Sequence, residues 1–142
     1  MIPRLSQGLA DLAGKLASGI APETTSRFAM ANTGMIAMLL GALAQEAERA
    51  VASRMTDISE MKDLFAALDA DAGDPAQSQA RREFLARQPA SLALGDVEAL
   101  HAEGLELLIA LHAWAEDADA DLNRKIWDFL LRHTERHRLD PG

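Results

Sequence analysis

The hydrophobic and polar positions of this chain follow helical spacing over most of its length. Near the start, apolar residues recur at steps of three and four: Leu5, Leu9, Leu12, Leu16 and Ile20. This is the periodicity of a helix with one apolar face. Alanine and leucine dominate the composition, β-branched residues are sparse, and tyrosine is absent. Because strands favour β-branched and aromatic residues, the sequence predicts an all-α fold.

One stretch departs from this pattern of one apolar and one polar helix face. Residues 28–44 (FAMANTGMIAMLLGALA) contain no charged side chain. A helix that is apolar on every side is normally buried on every side. We therefore expect Phe28–Ala44 to be the most buried segment, within a long central apolar helix that covers about residues 24–53. From Gln45 onward the pattern becomes amphipathic, so this second half is expected to meet water.

A membrane span is the competing interpretation of the same stretch. Seventeen residues is the shortest length that crosses a bilayer, and alanine, glycine, asparagine and threonine make this run only mildly apolar. The aromatic residues that anchor many spans at the membrane surface are missing from its flanks. The pattern thus favours a helix buried in protein and predicts no membrane association.

The next helix start is predicted at Thr56 or Asp57. Either residue can serve as an N-cap, with Glu60 reaching back to complete a capping box. The apolar residues that follow have helical spacing and indicate an inward face: Ile58, Met61, Leu64, Phe65 and Leu68.

Three further helices are predicted from similar signals. Asp74-Pro75 opens one of them, Asp96 caps the next, and the acidic residues 116–121 lead into the last. The sequence therefore predicts a compact bundle of five to six helices. At this length, residues 1–142 are expected to form a single all-α domain.

Charge is unevenly distributed along the chain. Residues 57–121 hold fifteen acidic and four basic residues, a balance of −11, whereas the whole chain carries −8. An acidic surface of this kind repels phosphate backbones. The distribution predicts that nucleic acid is not a partner.

The chain contains no cysteine, which removes thiol nucleophiles, redox CxxC motifs and thiolate zinc sites. Asp11 and Lys15 interrupt the only N-terminal apolar stretch, so a signal peptide is not predicted. Both observations favour a cytoplasmic protein.

Glu98 and His101 have the ExxH spacing used by helical di-iron sites, with both side chains on one helix face. Such sites need a second ExxH, and no other histidine has a glutamate three positions before it. His112 follows His101 by eleven residues and lies on the same side of the predicted helix. A small metal-binding or ligand-binding protein, or an enzyme using Glu98, His101 and His112, is thus an alternative function.

His133 and His137 are one helical turn apart, as are paired ligands in helical zinc sites. Arg132, Arg136 and Arg138 stand beside them and would repel a dication. This segment is therefore predicted to be a basic helix end without a metal ion.

Small residues recur every four positions in the uncharged run. Thr33, Ala37 and Gly41, with Gly34 beside them, would let another helix approach closely. The partner helix could belong to the same chain or to a second subunit, so this face indicates either an internal crossing or a homodimer seam.

No phosphate-binding loop, nucleophile elbow or other catalytic motif occurs in the chain, and no catalytic residue, metal or cofactor is predicted. The favoured function is a non-enzymatic accessory or protein-interaction module. Its expected partner is a second copy, giving a homodimer, or another protein. A small apolar ligand held between helices is a further alternative.

The start of the uncharged helix resembles that of a family of small uncharacterised helical proteins from proteobacteria. The similar residues are Arg27 to Asn32 (RFAMAN), the small and aliphatic run after them, and Glu46. The stretch from Leu122 to Pro141 is similar too, whereas residues 69–96 do not match. Family members are encoded near acyl-CoA dehydrogenases and aminoglycoside-phosphotransferase-like kinases. The resemblance implies an accessory role near acyl-CoA metabolism and carries over no site residues.

Overall fold

A computed structural model describes residues 4–69 and 72–140. All regular structure in these residues is helical, so the protein is an all-α bundle, as predicted. Its five α-helices are α1 (Leu5–Gly14), α2 (Arg27–Ala66), α3 (Pro75–Ala86), α4 (Leu94–Ala118) and α5 (Ala120–His137). A π-helical turn (Lys15–Ile20) and a 3-10 turn (Ala21–Glu23) follow α1.

The described residues divide into two compact units. The first unit runs to Ala50 and includes Leu139 and Asp140, and the second runs from Val51 to Arg138. In the first unit the Gln45 amide donates to the Asp140 carbonyl (2.8 Å) and accepts from its N–H (2.9 Å). That residues 1–142 behave as a single domain remains a prediction.

Helix α2 is longer than expected, because it continues through the position where a new helix was predicted. The predicted capping box at Asp57 is wrong: Asp57 lies inside the helix, and the Thr56 hydroxyl donates back to the Ala52 carbonyl (3.0 Å). No glycine or proline occurs between Ala42 and Ala66, so no helix-breaking residue interrupts α2 near Asp57.

The prediction that residues 28–44 are the most buried segment is wrong for the single chain. Met35, Ile36 and Leu39 expose 51%, 49% and 55% of their surface, and Phe28 exposes 77%. Only Ala37 and Ala44 are buried within this stretch. The lack of charge shows that this segment avoids water, but it does not show which surface covers the segment. In the single chain most of its apolar side chains remain exposed.

The hydrophobic core lies in the second unit. It is formed by the C-terminal part of α2 and by α3, α4 and α5, and its largest fully buried apolar side chains are Phe84, Phe129, Met61, Leu111, Ile126 and Val97. Most of the inward residues expected from helical spacing belong to it. Phe65 and Phe84 meet edge to face, with ring centroids 5.8 Å apart.

Helix α3 starts at its predicted cap, and α5 starts within the acidic segment predicted to lead into it. The Asp74 carboxylate accepts the Ala76 N–H (2.8 Å) at the start of α3, and the Asp119 carboxylate accepts the N–H of Leu122 (3.0 Å) at the start of α5. Helix α4 differs, since it begins two residues before the predicted cap. Its Asp96 carboxylate accepts from the Ser91 hydroxyl (2.6 Å) instead.

Gly104 is the closest packing point of α4. A Cβ added there would lie 2.6 Å from Met61 Cε and 2.7 Å from Phe84 Cζ, both on fully buried side chains. We expect Gly104→Ala to lower the free energy of unfolding by about 1–2 kcal/mol, because overpacking outweighs the gain in helix propensity. Urea denaturation measures this change.

Gly95→Ala is the matched control on the same helix. A Cβ at Gly95 meets no atom within 4 Å, so this substitution should leave stability unchanged or raise it slightly. Equal stability of both variants and the wild type would show that α4 has room at Gly104.

Candidate metal centre

Three helices bring four polar side chains to one point in the second unit. Asp57 of α2 lies at the centre, and its Oδ2 atom is 2.9 Å from His101 Nε2 of α4. The same oxygen is 2.8 Å from His133 Nδ1 and 2.6 Å from His137 Nε2, both on α5. The four potential ligand atoms lie within 4.8 Å of one another.

Helical geometry explains why these side chains converge. His133 and His137 are separated by one turn of α5 and so project from the same face. His101 is buried on α4, and Asp57 has no exposed surface on α2. Asp57 immediately precedes Ile58 of the core, so the site lies at the border of the packed interior.

The imidazole rings pack against one another and against the core. The ring centroids of His133 and His137 are 4.5 Å apart, and His101 is 5.8 Å from His133. Phe129, one turn before His133, stacks on it at 5.9 Å with an interplanar angle of 22°. This packing restricts the rings and keeps their nitrogen atoms directed at Asp57.

The Asp57 carboxylate is held in its ionised form. Burial raises the pKa of Asp57. Hydrogen bonds from His101, His137 and His133 together lower it by more than burial raises it, so the pKa lies well below its usual range. Asp57 is therefore a charged acceptor at neutral pH.

Two arginines of α5 complete the surroundings. Arg136 donates one N–H to Asp57 Oδ1 and another to Glu60 Oε1 (2.5 Å). Arg132 donates to the other oxygen of Glu60 at 3.1 Å. These contacts leave Oδ2 as the only Asp57 oxygen that faces the three imidazoles.

The number of nitrogen atoms around Oδ2 exceeds what hydrogen bonding satisfies well. A carboxylate oxygen offers about two lone-pair sites, whereas three ring nitrogens surround this one. A metal ion solves this problem, because it accepts a lone pair from each imidazole and from the carboxylate. A tetrahedral shell with bonds of about 2.0–2.2 Å places its ligand atoms about 3.3–3.6 Å apart. The three nitrogen atoms lie 2.6–2.9 Å from Oδ2, closer than this shell requires, so the carboxylate and the rings would have to move apart to admit an ion.

The structure brings together only one member of the predicted trio. His101 is in the cluster, but Glu98 forms an ion pair with Arg54 (3.2 Å). His112 Nε2 lies 3.0 Å from Asn123 Oδ1. Neither Glu98 nor His112 belongs to the group around Asp57.

The reason given for a metal-free helix end at His133 and His137 does not apply to this structure. Arg132 and Arg136 are paired with Glu60 and Asp57, so their charges are balanced by carboxylates from α2. Sequence spacing showed the two histidines but not these acids, which lie more than seventy residues away. Asp57 is one of nine charged residues of α2, so its charge alone gave no signal in the sequence.

The small-residue face has a mixed outcome. Ala37 is buried and Thr33 is half-buried. A Cβ at Gly34 or Gly41 would meet no atom within 4 Å. Among the described residues, no close crossing is found at the two glycines, and a seam between subunits remains a prediction.

A cavity of about 640 Å³ adjoins the residues that surround Asp57. Leu64, Leu68 and Trp114 line it, and Phe129 and Glu60 belong both to its wall and to the surroundings of Asp57. A space of this volume can admit a small molecule.

Comparison with protein-family models, with curated proteins and with solved structures finds no match to this chain. The resemblance to the proteobacterial family thus remains a prediction. Among the described residues one helix, α2, is long and apolar enough to cross a membrane, and only 11% of its apolar window is buried. The class supported by the fold and the site is that of a helical protein with a three-histidine, one-aspartate centre.

Proposed function

We propose that this protein binds one divalent transition-metal ion through Asp57, His101, His133 and His137. The observation that carries this proposal is the convergence of three imidazole nitrogens on one buried carboxylate oxygen. Imidazole nitrogen with a single carboxylate oxygen is a donor set suited to zinc and to neighbouring first-row metals. Calcium and magnesium prefer shells made of oxygen atoms.

The number of ligands favours a structural role for the metal. Arg136 occupies Asp57 Oδ1, so the carboxylate supplies one donor atom, and the three histidines supply three more. Four protein ligands complete a tetrahedral shell, whereas catalytic zinc sites keep one position for water or substrate. The ion would hold α2, α4 and α5 together and so add to the stability that the hydrophobic core provides.

A structural metal ion is compatible with a non-enzymatic accessory protein. Asp57 contacts the three histidines, which are the other proposed ligands, and Arg136, which also pairs with Glu60. We keep the cytoplasm as the proposed location, because imidazole and carboxylate ligands need no oxidising compartment.

Metal binding is tested on protein that carries no histidine tag. After treatment with a chelator, Zn²⁺ is added and the bound metal is counted by elemental analysis. We expect one zinc ion per chain and a rise in the melting temperature that grows with Zn²⁺ concentration, because the ion binds only the folded state. Binding should weaken as the pH falls, because metal ligands must be deprotonated to bind the ion.

His137→Gln and His112→Gln form a matched pair for this test. The first removes a ligand and should abolish both stoichiometric zinc and the thermal shift. The second changes a histidine that contacts Asn123 and should bind zinc like the wild type. Failure of the wild type to retain zinc, or equal binding by both variants, would overturn the proposal.

Cobalt distinguishes the structural role from a catalytic one. Tetrahedral Co²⁺ absorbs visible light far more strongly than octahedral Co²⁺, so substitution by cobalt reports the number of ligands. We expect the strong absorption of a four-coordinate ion. Weak absorption would indicate added water ligands and would favour an open, catalytic position.

A further inference from the structure

An exposed apolar seam runs along the first part of α2, in the unit that does not contain the metal centre. Its members repeat at alternating steps of four and three: Phe28, Asn32, Met35, Leu39, Ala42 and Glu46. Steps of four and three together make a repeat of seven residues, which is the repeat of helices that pack against other helices in coiled coils. Three of these side chains, Phe28, Met35 and Leu39, are half or more exposed.

The seam is wide as well as regular. Ile36 and Leu43 flank it on one side and Met38 on the other, and they expose between 49% and 67% of their surface. Apolar residues at flanking positions broaden the contact beyond a simple two-stranded seam. Monomeric proteins rarely keep a continuous apolar surface of this size uncovered.

A bilayer fits this surface poorly. The Ser6 hydroxyl donates to the Glu48 carboxylate, so α1 returns beside α2. We count from this contact in opposite directions along the two segments, at about 1.5 Å per residue. Asp11 then lies about level with residue 43 of α2, and Lys15 about level with residue 39. Both are exposed and charged. A membrane around the seam would take them into hydrocarbon, together with the amide of Asn32.

We propose that the seam is the interface of a homodimer in which α2 packs antiparallel against α2 of a second copy. A two-fold axis near Ala37 would place Met35 opposite Leu39 of the second copy. Each helix hairpin of α1 and α2 would then contribute two helices to a four-helix arrangement. This interface is independent of the proposed metal site.

The charges of this unit support a second copy as the occupant. Residues 4–50 contain four basic and four acidic residues and sum to zero, although the chain carries −8. Two copies can therefore meet through this unit without bringing net charges of the same sign together. The antiparallel direction also places Arg27 of each copy near Glu46 of the other, whereas a parallel pair would place Glu46 against Glu46.

Analytical ultracentrifugation tests the proposal. We expect the wild type to sediment as a dimer and Leu39→Glu to sediment as a monomer with unchanged helical content by circular dichroism. The control is Ile109→Glu, because Ile109 is 69% exposed on α4 and lies outside the seam. Met35→Lys is a second seam variant in case Leu39→Glu does not fold.

Three outcomes would overturn the proposal. One is a monomeric wild type, and another is a Leu39→Glu variant that folds and remains dimeric. The third is a wild type that floats with phosphatidylcholine–phosphatidylglycerol vesicles and forms no dimer in their absence, which would assign the surface to lipid.

Charge reversal tests the antiparallel direction. Arg27→Glu and Glu46→Lys should each weaken self-association, since both ends of the dimer then carry like charges. Mixing the two variants should restore dimers at least as tight as the wild type. In the mixed dimer the introduced glutamate would face the introduced lysine at one end, and the unchanged Arg27 would face the unchanged Glu46 at the other. Dimers that are no tighter in the mixture than in either variant alone would contradict this direction.

Discussion

Asp57→Asn is expected to lower the free energy of unfolding by about 3–5 kcal/mol, because it leaves buried positive and polar groups without their anion. Three imidazoles and Arg136 contact this one carboxylate. Asparagine keeps the shape of the side chain but loses the charge and turns an N–H₂ group toward donors. Urea denaturation in the presence of a chelator measures the loss without a contribution from metal.

The pH dependence of this loss identifies its cause. The pKa of Asp57 is depressed in the folded protein, so its contribution is fully present above the unfolded value of about 3.9. The contribution disappears as the pH falls below that value toward the folded pKa. The stability difference between wild type and Asp57→Asn should therefore be large at pH 7 and smaller at pH 3. A difference that does not shrink at pH 3 would mean that shape, rather than charge, accounts for the loss.

Glu98→Gln is the control for Asp57→Asn. Glu98 also forms an ion pair, with Arg54 at 3.2 Å, but its side chain is about half exposed. Exposed pairs contribute about 0–1 kcal/mol. A loss from Glu98→Gln as large as that from Asp57→Asn would contradict the central role of the buried cluster.

Phe84→Ala should cost about 3–5 kcal/mol, because it removes a fully buried aromatic ring and leaves a cavity. Phe84 holds α3 against the core, where its ring meets Phe65 and lies near Gly104. Of the apolar residues in α3 it alone is fully buried. Hydrogen exchange should show that the amides of α3 lose protection more than those of α5.

Leu85→Ala is the matched comparison for this substitution. Leu85 is the neighbouring residue and is only half-buried, so its loss should cost clearly less. Zinc binding should persist in both variants, since no proposed ligand lies on α3. Equal costs at the two positions would show that α3 is not anchored by Phe84.

Helices and their caps were predictable where the interactions that stabilise them join residues close together in the sequence. Helical spacing is enough to find α3, α4 and α5 and most of the inward residues of the core. Asp74 and Asp119 act as caps because a side-chain oxygen needs only the adjacent N–H groups. Asp57 has the same chemistry and a similar sequence context, yet it lies inside a helix. An N-cap requires a helix to begin, and α2 continues through Asp57 without a break.

The buried or exposed state of an apolar helix was not predictable in the same way. The composition of residues 28–44 shows that this segment is apolar, but its burial depends on which surface packs against it. Within one chain Met35 and Leu39 remain half exposed. The heptad-like spacing of these residues, rather than their lack of charge, points to another helix as the covering surface.

The sequence alone determined that this protein is helical, acidic and free of cysteine, and it placed His133 and His137 on one turn. Only the tertiary structure decided that these histidines meet His101 and Asp57, which are separated from them by 32 to 80 positions along the chain. Helical periodicity depends on neighbours within a few residues, so it is visible in the sequence. The centre depends on how α2, α4 and α5 pack, and that packing is set by the shape of the whole core.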